Sequence, residues 1–576
     1  MTRRNEEVAR VLESIAELLA LEGEPNAFRI RAYEEAARAI GSLAEDIDGV
    51  HRAGRLDDIP HVGESIAAKV AEYLDTGHLR YLERLEKLAP EAPVELLQVP
   101  GIGPARARLL AEKLGISTVR QLARAAHEHQ LRRVPGFGEK SEERIAREAE
   151  RSVERGQRML LAEALPAAEE VVRLLRRCPA ALAVEPAGSI RRMRETIGDI
   201  DVLVSSERPA DVVKAFTALP IVKEVISSGS TRCSVLRTDN LQIDLRVVSP
   251  EQYGSALQYF TGSKDHNIAL RSLAIERGWK LSEYGLFDER GRRIAGDTEE
   301  EIYRALGLDC MPPELRENRG ELAAARNHAL PAVVAVDDLR GDLHVHTNWS
   351  DGHDALGRMA QGAIARGYEY VAITDHSRSL RVARGLTVER LQAQRRAIDD
   401  LNERYAPFRV LQGAEIDVLA DGSLDYPDEV LASLDVVTVS VHSGFGQPRD
   451  VMTERILKAI RHPLVHVLNH PTGRLIRRRS AYDVDLETVI RAAAEAGVTL
   501  EIDGQAERLD LNDLGARLAI EAGARLVCNS DAHSAYQLDL VRYAVAMARR
   551  GWVEPKHVLN TLPLGALMAT LRARRG

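Results

Sequence analysis

Histidines and carboxylates recur at metal-ligand spacing in the C-terminal part of this chain. Ten of its 17 histidines lie between residues 344 and 557. Side chains two apart on a strand point the same way, so His344 and His346 can share one site. Imidazoles mixed with carboxylates suit borderline divalent metals such as Zn²⁺ or Mn²⁺. One pair would more often be a surface accident, but six groups that each end a predicted strand predict a multi-metal centre. The groups are Asp342-Leu-His344-Val-His346 with Asp351, Asp375-His376, Glu415, His442, His470 and Asp531-Ala-His533.

A second set of carboxylates lies in the middle of the chain. Asp199 and Asp201 are two apart on a predicted strand, and Asp244 lies on another strand whose apolar residues alternate cleanly. Three carboxylates on one exposed face repel each other unless cations lie between them, and two Mg²⁺ ions about 4 Å apart would supply that charge. The preceding Gly188-Ser189-Ile-Arg-Arg192 turn could hold a phosphate tail. Asp-x-Asp alone is a weak signal, but the combination predicts nucleotidyl transfer.

The hydrophobic pattern around the histidines predicts the elements that carry them. Seven short apolar runs alternate with helical patterns, which is typical of parallel β/α units that close into a barrel. The candidate ligands end these runs or follow them closely, where barrel enzymes place their active sites. The runs are Asp342–Val345, Val371–Thr374, Val410–Ala414, Val436–Val441, Leu464–Leu468, Val498–Ile502 and Leu526–Asn529.

Residues 1 to about 155 are predicted to be helical, with amphipathic segments at Asn5–Leu21, Ile30–Ile40 and Ser65–Leu74. A glycine turn before a helix recurs three times, at residues 59–66, 99–106 and 134–141. One copy would favour a plain helical turn. Three copies resemble helix-hairpin-helix elements, which bind the DNA backbone without reading sequence. In the first copy His61 replaces the usual glycine, and the second copy, with Gly101 and Gly103, matches best.

Composition sets broad limits on the function. The net charge of −9 and pI near 6.1 give no global basic field, although basic patches can hide in such a balance. The four cysteines are far apart and are expected to be reduced thiols. The first residues lack the apolar stretch of a signal peptide, and no run approaches a membrane span, so we expect a cytoplasmic protein without a membrane association.

These motifs carry a resemblance that covers essentially the whole chain. Residues 1–315 resemble a family X DNA polymerase, the family of DNA polymerase beta, and residues 340–576 resemble a polymerase-and-histidinol-phosphatase (PHP) domain. The resemblance implies a multidomain α+β and α/β protein with a distorted seven-stranded β/α barrel at its C-terminus. The implied parts are a lyase-like helical domain (1–85), a helix-hairpin-helix subdomain (86–155), a nucleotidyltransferase palm (156–250), a nascent-base-pair-binding subdomain (251–315), a linker (316–337) and a PHP metallo-phosphoesterase domain (338–576).

For the polymerase part, the resemblance implies that Asp199, Asp201 and Asp244 bind two Mg²⁺ ions and that Asp244 helps to activate the primer 3′-hydroxyl. The residues implied to contact the incoming nucleotide are Gly188, Ser189, Arg192, Gly198, Tyr259, Phe260, Gly262, Asn267 and Arg271. Minor-groove acceptors are shared by all base pairs, so contacts from Asn267 and Arg271 would check shape without reading sequence. Two departures are Lys264, where the polymerase beta pattern has an acid, and Gln242, where it has an arginine.

For the barrel, the resemblance implies three Mn²⁺ or Zn²⁺ ions and 3′→5′ exonuclease activity, with abasic-site or 3′-phosphate cleavage as related possibilities. The implied ligands are His344, His346, Asp351, His376, Glu415, His442, His470, Asp531 and His533. Asp342 is expected to orient a histidine from the second layer. Arg474 and Arg508 are expected to contact the scissile phosphate or DNA, against the alternative of plain surface arginines.

Lys69, Tyr33 and Arg29 match a 5′-phosphate pocket, and Phe28 and Ser65 stand where that pattern has basic residues. We therefore expect Lys69 to contact a 5′-phosphate rather than to act as a lyase nucleophile, with a solvated lysine as the plain alternative. The implied partners are gapped or nicked DNA, primer-template and deoxynucleoside triphosphates, bound by a monomer. The alternatives are a metallo-phosphoesterase of small metabolites and a DNA-end-binding repair protein with weak polymerase activity.

Overall fold

The computed structural model describes residues 3–22, 27–41, 45–88, 104–134 and 158–574, with residues 43, 96, 99, 102, 137–138, 142–143, 145–146 and 149 between them. The chain divides into two compact units, Met1–Arg158 and Met159–Gly576. Among the described residues, no helix is both long enough and apolar enough to cross a membrane.

Unit 1 is helical, as its periodicity predicts. In its first helix the apolar side chains of Val8, Leu12 and Ile15 recur at helical spacing and are buried in one core. The three predicted helices lie within the first, second and fourth observed ones. The helices are α1 (Arg3–Glu22), α2 (Ala27–Gly41), α3 (Ile47–Arg52), α4 (Glu64–Thr76), α5 (Arg80–Leu88), α6 (Pro104–Leu114) and α7 (Val119–His127).

The three repeated turns share one backbone hydrogen bond. In each copy an apolar residue donates its N–H to the carbonyl of the residue three positions earlier: Val62 to Ile59 (3.0 Å), Ile102 to Val99 (3.0 Å) and Phe137 to Val134 (3.1 Å). His61 adopts a left-handed φ of +66°, which costs a non-glycine residue roughly 1–2 kcal/mol. This geometry explains why a glycine is usual there. Gly101 and Gly103 lie outside the described residues.

Unit 2 begins with a mixed five-stranded sheet in the order β2-β4-β7-β6-β5. β4 and β7 pair in parallel, and the other pairs are antiparallel. β7 alternates buried and half-buried residues along its length, as predicted. The elements are β1 (Met159–Leu160), α8 (Leu161–Leu175), β2 (Ala183–Pro186), α9 (Gly188–Arg191), β3 (Thr196–Ile197), β4 (Ile200–Ser205), α10 (Pro209–Thr217), β5 (Val222–Ser228), β6 (Arg232–Arg237) and β7 (Gln242–Val248).

A small helical layer with a three-stranded antiparallel sheet follows, and it has its own apolar core. It comprises α11 (Tyr253–Thr261), α12 (Lys264–Ile275), β8 (Lys280–Ser282), β9 (Gly285–Phe287), β10 (Arg293–Ala295) and α13 (Glu299–Ala305). The predicted linker after it is packed and contains α14 (Glu321–Arg326). Arg316 is buried in an ion pair with Glu299, and Glu321 is buried against His266 at 2.7 Å. Charged residues can be buried in this segment because each has an opposite partner.

The C-terminal part is a seven-stranded parallel barrel in sequence order. It is nearly closed, because a single bridge joins Val345 to Ala532 and the His346 N–H donates to the Ala532 carbonyl (2.8 Å). The strands are β11 (Gly341–Val345), β12 (Tyr370–Ile373), β13 (Arg409–Asp417), β14 (Val436–Ser440), β15 (Val467–Leu468), β16 (Thr499–Asp503) and β17 (Leu526–Asn529). The helices are α15 (Leu356–Ala365), α16 (Val388–Tyr405), α17 (Asp428–Ser433), α18 (Arg449–Ile460), α19 (Leu486–Ala496), α20 (Asp513–Glu521), α21 (Val541–Arg550) and α22 (Leu564–Ala573).

All seven predicted strands are present, and two are shorter than predicted. β14 ends at Ser440 rather than Val441. β15 begins at Val467 rather than Leu464, because Val465 donates its N–H to His462 in a turn (3.1 Å) and Pro463 has no N–H to donate. Buried apolar side chains of the mixed sheet and of the barrel form one continuous cluster.

Two candidate metal centres

The register of two parallel strands brings the three middle aspartates together. Asp201 on β4 lies directly opposite Asp244 on β7, and Asp199 lies just before β4 rather than on it. One carboxylate oxygen from each residue lies within 4.8 Å of the other two. The backbone N–H of Ala187 donates to the Asp201 carbonyl (2.9 Å), which fixes the start of α9 beside the cluster.

The charge of this cluster is unbalanced. Burial raises the pKa of Asp201 to about 7, with further contributions from the negative charges of Asp199 and Asp244. Gly188 has a φ of +61°, and a Cβ there would collide with the Asp201 carboxylate. The backbone therefore approaches this carboxylate as closely as only glycine allows. Three oxygen donors with excess negative charge fit Mg²⁺.

Arg192 is held firmly at the edge of the aspartate cluster. Its Nε donates to Glu317 (3.1 Å), and its Nη1 donates to the Thr261 carbonyl. Its positive charge also lowers the pKa of Asp201, against the larger effect of burial, so it is within electrostatic reach of that carboxylate. A Cβ on Gly262 would lie 3.1 Å from Nη1, so these two predicted residues adjoin. Sequence reasoning missed Glu317, because nothing in a charged segment after a proline pair indicates its partner.

The other predicted nucleotide contacts surround this region. Asn267 donates its side-chain N–H to the Tyr259 carbonyl (2.7 Å), and Arg271 donates to the Asn267 carbonyl one helical turn away (3.3 Å). The rings of Tyr259 and Phe260 meet edge to face at 5.2 Å, and Arg246 lies over the Phe260 ring at 4.2 Å. Ser189 and Gly198 flank the cluster, the serine half-buried on α9 and the glycine exposed beside Asp199.

The two departures from the polymerase beta pattern differ in their surroundings. Gln242 donates from its amide nitrogen to both oxygens of Asp244, at 3.1 and 2.9 Å. Lys264 is exposed at the start of α12. Only Gln242 is therefore placed to influence a carboxylate of the cluster.

The nine predicted barrel residues converge at the C-terminal ends of the strands. Eight of them form three overlapping groups whose ligand atoms lie within 4.8 Å of one another. The ninth, His470, places Nε2 2.9 Å from Glu415. The groups are His346, Asp351, His376 and His533; His344, His346 and Asp531; and His376, Glu415 and His442.

Opposite charges are interleaved in the barrel. Burial alone would lower the pKa of His376 and His533, but their carboxylate neighbours raise these values to about 10 and about 9. Likewise, burial would raise the pKa of Asp351 and Asp531, but the surrounding imidazoles hold both well below the usual range. A metal cation that displaces the imidazole protons can compensate the negative charge of these carboxylates instead.

Unsatisfied buried atoms support a metal site in the barrel. His346 Nδ1 and Asp531 Oδ1 are buried without a hydrogen-bond partner. Buried polar atoms in native proteins are nearly always paired, so these two fit ligands of an ion. The mixture of nitrogen and oxygen donors suits Mn²⁺ or Zn²⁺ better than Mg²⁺.

A second layer of residues orients the barrel ligands. Glu501 on β16 contacts His344 Nδ1 (2.7 Å), accepts from Asn529 (2.8 Å) and accepts the backbone N–H of His470 (2.8 Å). Asp342, which was predicted to orient a histidine, accepts the backbone N–H groups of His344 and Ser530 (both 3.1 Å). Glu501 therefore holds the His344 ring, a role that the sequence analysis did not assign to it. The available sequence signal was that Glu501, a charged residue, lies within the apolar run predicted to form a barrel strand, next to Ile502.

The predicted DNA contacts have different surroundings. In unit 1, Lys69 Nζ donates to the Ser65 carbonyl (2.8 Å) and hydroxyl (2.9 Å) and lies over the rings of Tyr81 (5.1 Å) and Tyr33 (6.0 Å). Burial and the charge of Arg29 lower the pKa of Lys69.

In unit 2, Arg474 lies at the junction of barrel and mixed sheet. Its guanidinium is bound to Glu195 (2.7 Å) and to the carbonyls of Arg508 (2.9 Å) and Leu509 (2.6 Å). Arg508 faces the barrel site, with Nε 3.5 Å from Asp503 and 3.9 Å from Asp531. Arg508 thus lies beside a predicted barrel ligand, whereas Arg474 is bound to Glu195 and to backbone carbonyls.

Comparison with known proteins decides the family. Four family models match: a helix-hairpin-helix domain over residues 3–79, a SAM-like helix-hairpin-helix tandem over 94–151, a DNA polymerase beta thumb over 256–317 and a PHP domain over 342–503. A DNA polymerase/3′-5′ exonuclease PolX of Bacillus subtilis is 38% identical over 569 residues, covering 98% of this chain and 99% of that protein. The chain belongs to the family X DNA polymerases. We call the mixed sheet of this family X polymerase the palm, as the resemblance implies, and we call the barrel the PHP domain, whose model it matches over residues 342–503.

The PHP domain also has relatives without a polymerase part. A probable phosphatase of Thermoanaerobacter sp. is 28% identical over 232 residues, which are 38% of this chain and 89% of that protein. A probable phosphatase of Acetivibrio thermocellus is 30% identical over 212 residues, which are 34% of this chain and 80% of that protein.

Proposed function

We propose that this family X polymerase fills short gaps in DNA with its palm site and trims 3′ ends with its PHP site. The observation that carries the proposal is the register of β4 against β7, which gathers three carboxylates beside a glycine turn and an arginine. This arrangement supplies oxygen ligands on one side and phosphate-binding groups on the other.

In the palm, Asp199, Asp201 and Asp244 would hold two Mg²⁺ ions. When bound, the ions supply the charge that stabilises the transferring phosphate and orients its attacking and leaving oxygens. Asp244 takes up the proton of the primer 3′-hydroxyl, and Gln242 holds that carboxylate in place through its two hydrogen bonds. Arg192 and the Gly188 turn bind the triphosphate of the incoming nucleotide.

Further palm contacts check the nascent base pair. Tyr259, Phe260 and Gly262 line the nucleotide sugar, while Asn267 and Arg271 meet the minor-groove edges of the bases. The hydrogen bond from Asn267 to Tyr259 links the sugar contacts to the base contacts. A misfit at the base would therefore disturb the sugar position as well.

In the PHP domain, the nine histidines and carboxylates would hold three Mn²⁺ or Zn²⁺ ions. When bound, the ions act as Lewis acids and lower the pKa of a water that attacks the phosphodiester. Arg508 neutralises the scissile phosphate, because its half-buried guanidinium lies at the edge of the site, 3.5 Å from Asp503 and 3.9 Å from Asp531. Glu501 keeps His344 and the His470 backbone in place.

The partners are gapped or nicked DNA, primer-template and deoxynucleoside triphosphates. The repeated turns in unit 1 bind the DNA backbone, and Lys69 with Tyr33 contacts a 5′-phosphate. We also propose that the protein works as a monomer in the cytoplasm, since both candidate centres are formed by residues of one chain.

Hydrolysis of small phosphomonoesters is the second candidate for the PHP site, because its shorter relatives are probable phosphatases. On DNA the same chemistry would remove a 3′-phosphate. A comparison of a free phosphomonoester with a 3′-phosphorylated primer distinguishes the two: faster turnover of the free ester would favour a metabolite phosphatase.

The central test uses a labelled primer on gapped DNA, with and without nucleotides, in Mg²⁺ or Mn²⁺. We expect extension to the end of the gap with nucleotides and stepwise 3′ shortening without them. Absence of extension under all conditions would refute the polymerase assignment, and absence of shortening in Mn²⁺ would refute the nuclease assignment.

A further inference from the structure

Three parts of unit 2 meet at the carboxylate of Glu317, which is 9% exposed. Its Oε1 is 3.1 Å from Arg192 Nε in the palm and 2.9 Å from Arg550 Nη1 in the barrel. Its Oε2 is 3.7 Å from Arg194. These charges hold the pKa of Glu317 well below its usual range, at about 2, against the effect of burial. The carboxylate is therefore ionised and binds both guanidinium groups at once.

Arg550 contacts Arg192 by two routes. It is the last residue of α21 and its side chain is 2% exposed. Its Nη1 donates to the backbone carbonyl of Arg192 (2.6 Å) as well as to Glu317, and its Nη2 donates to Asp513 (2.7 Å). Asp513 also accepts from Arg319 (2.9 Å). A barrel side chain thus fixes both the backbone of Arg192 and the partner of its guanidinium.

These contacts restrict the Arg192 side chain. Nε is bound to Glu317 and Nη1 is bound to the Thr261 carbonyl next to Gly262. An arginine held at both positions loses little further rotamer entropy when it binds a phosphate. Preorganised charge of this kind improves binding without a new contact to the ligand.

The cluster contains more arginines than carboxylates. Four arginines, at positions 192, 194, 319 and 550, face two carboxylates, Glu317 and Asp513; Arg194 is 41% exposed to water, and Arg192 is also within electrostatic reach of Asp201. Buried ionic clusters are stable only when their charges are compensated. A polyphosphate anion at the exposed edge of Arg192 would supply further negative charge.

We propose that Glu317 and the barrel residue Arg550 are positioning residues for nucleotidyl transfer, which hold Arg192 ready for the triphosphate of the incoming nucleotide. The PHP domain then contributes to nucleotide binding by the palm, in addition to its own site. The inference rests on the proposed role of Arg192.

The test is steady-state insertion of one nucleotide into a one-nucleotide gap. Glu317→Gln and Arg550→Lys should each raise KM for the nucleotide about 10-fold, the scale of one charge-assisted hydrogen bond, and change kcat less than about 2-fold. Lysine at 550 can reach Glu317 but cannot also bind Asp513 and the Arg192 carbonyl, so Arg550→Ala should have a larger effect than Arg550→Lys.

Arg542→Ala is the matched control. Arg542 lies on the same helix, α21, and forms an ion pair with Glu169 of the palm (2.7 Å), but it does not touch the Arg192 cluster. Its loss should leave KM unchanged. Trimming activity and barrel metal content, measured in every variant, show that the barrel remains folded.

Double variants distinguish the proposed role of Arg192 from its proposed positioning by Glu317 and Arg550. In an Arg192→Ala background, Glu317→Gln should cause no additional rise in KM, because both act on one group. If Arg192→Ala itself leaves KM unchanged, the proposed role of Arg192 fails. If Arg192→Ala raises KM but neither Glu317→Gln nor Arg550→Lys does, only the positioning inference fails. A lower KM in Glu317→Gln would also overturn it, since Glu317 would then compete with the triphosphate.

Discussion

In the palm, three carboxylates converge on one face of a sheet, whereas in the barrel six histidines are interleaved with three carboxylates. Asp199 is exposed and Asp201 and Asp244 are half-buried, while most of the barrel ligands are buried. Burial, with a further contribution from crowding by like charge, raises the pKa of Asp201 in the palm to about 7. In the barrel, opposite charges raise the pKa of His376 and His533 and lower that of Asp351 and Asp531, in each case against the effect of burial.

The contrast teaches how each centre obtains its cations. The palm cluster offers three carboxylates, one of them exposed, so its ions are expected to bind weakly until a nucleotide brings further oxygen ligands. The barrel offers a complete set of buried nitrogen and oxygen ligands, so its ions are expected to remain bound without substrate. The changes at Asp201, at the barrel ligands and in pH each test one side of this contrast.

The largest effect is expected from Asp201→Asn. Loss of one carboxylate from the palm cluster should reduce primer extension by about 1,000-fold, the upper range for removing one preorganised electrostatic group. Trimming in the absence of nucleotides should stay close to that of the unchanged protein, because the barrel ligands are intact. Extension at the original rate would show that the polymerase site lies elsewhere.

The converse change is Asp531→Ala or His344→Ala in the barrel. Either should reduce 3′ trimming at least about 100-fold, since it removes a ligand rather than a second-layer contact. Metal analysis should find more than one ion per purified chain before the change and fewer after it. A protein that holds no ion after reconstitution with Mn²⁺ or Zn²⁺ would contradict the idea of a resident centre.

A smaller effect concerns pH and Mg²⁺ binding in the palm. The folded pKa of Asp201, about 7, lies above its unfolded value, so its protonated form stabilises the fold and this contribution is lost as the pH rises through 7. Protons therefore compete with Mg²⁺ below pH 7, and the apparent Mg²⁺ affinity should fall about 10-fold between pH 8 and pH 6.

Thermal unfolding at graded Mg²⁺ concentrations measures this effect. The Mg²⁺-induced rise in Tm should be larger at pH 8 than at pH 6, and Asp201→Asn should remove the difference. If Asp201→Asn showed the same pH dependence of the Tm rise as the unchanged protein, other titrating groups would be responsible for it.

The smallest effect is expected at Lys69, whose ammonium already donates to Ser65. Lys69→Ala should weaken binding to gapped DNA with a 5′-phosphate about 3-fold, the scale of a partly exposed ion pair, and should not affect DNA without that phosphate. Borohydride trapping on DNA with a 5′-deoxyribose phosphate is the sharper experiment. A covalent adduct that disappears in Lys69→Ala would show that Lys69 acts as a lyase nucleophile and does not only bind the 5′-phosphate.

The sequence by itself determined which residues lie on which face and at which end of each element. Alternation along β7 identified its buried side, and the apolar runs located all seven barrel strands with the candidate ligands after them. The repeated turns of unit 1 were equally visible, because each is a local pattern of four residues closed by one hydrogen bond. Such patterns depend on residues within a few positions of one another, so the periodicity of apolar residues in the sequence reveals them.

Only the tertiary structure decided which distant residues meet. The parallel pairing of β4 with β7 sets Asp201 opposite Asp244, 43 positions apart in the chain numbering. Glu501 orients His344 from 157 positions away, and Arg550 reaches the Arg192 carbonyl across 358. No local pattern encodes these partners, because a charged side chain on a strand or helix end looks the same whether it faces water or a buried counter-charge. The packing of the barrel against the palm makes that choice.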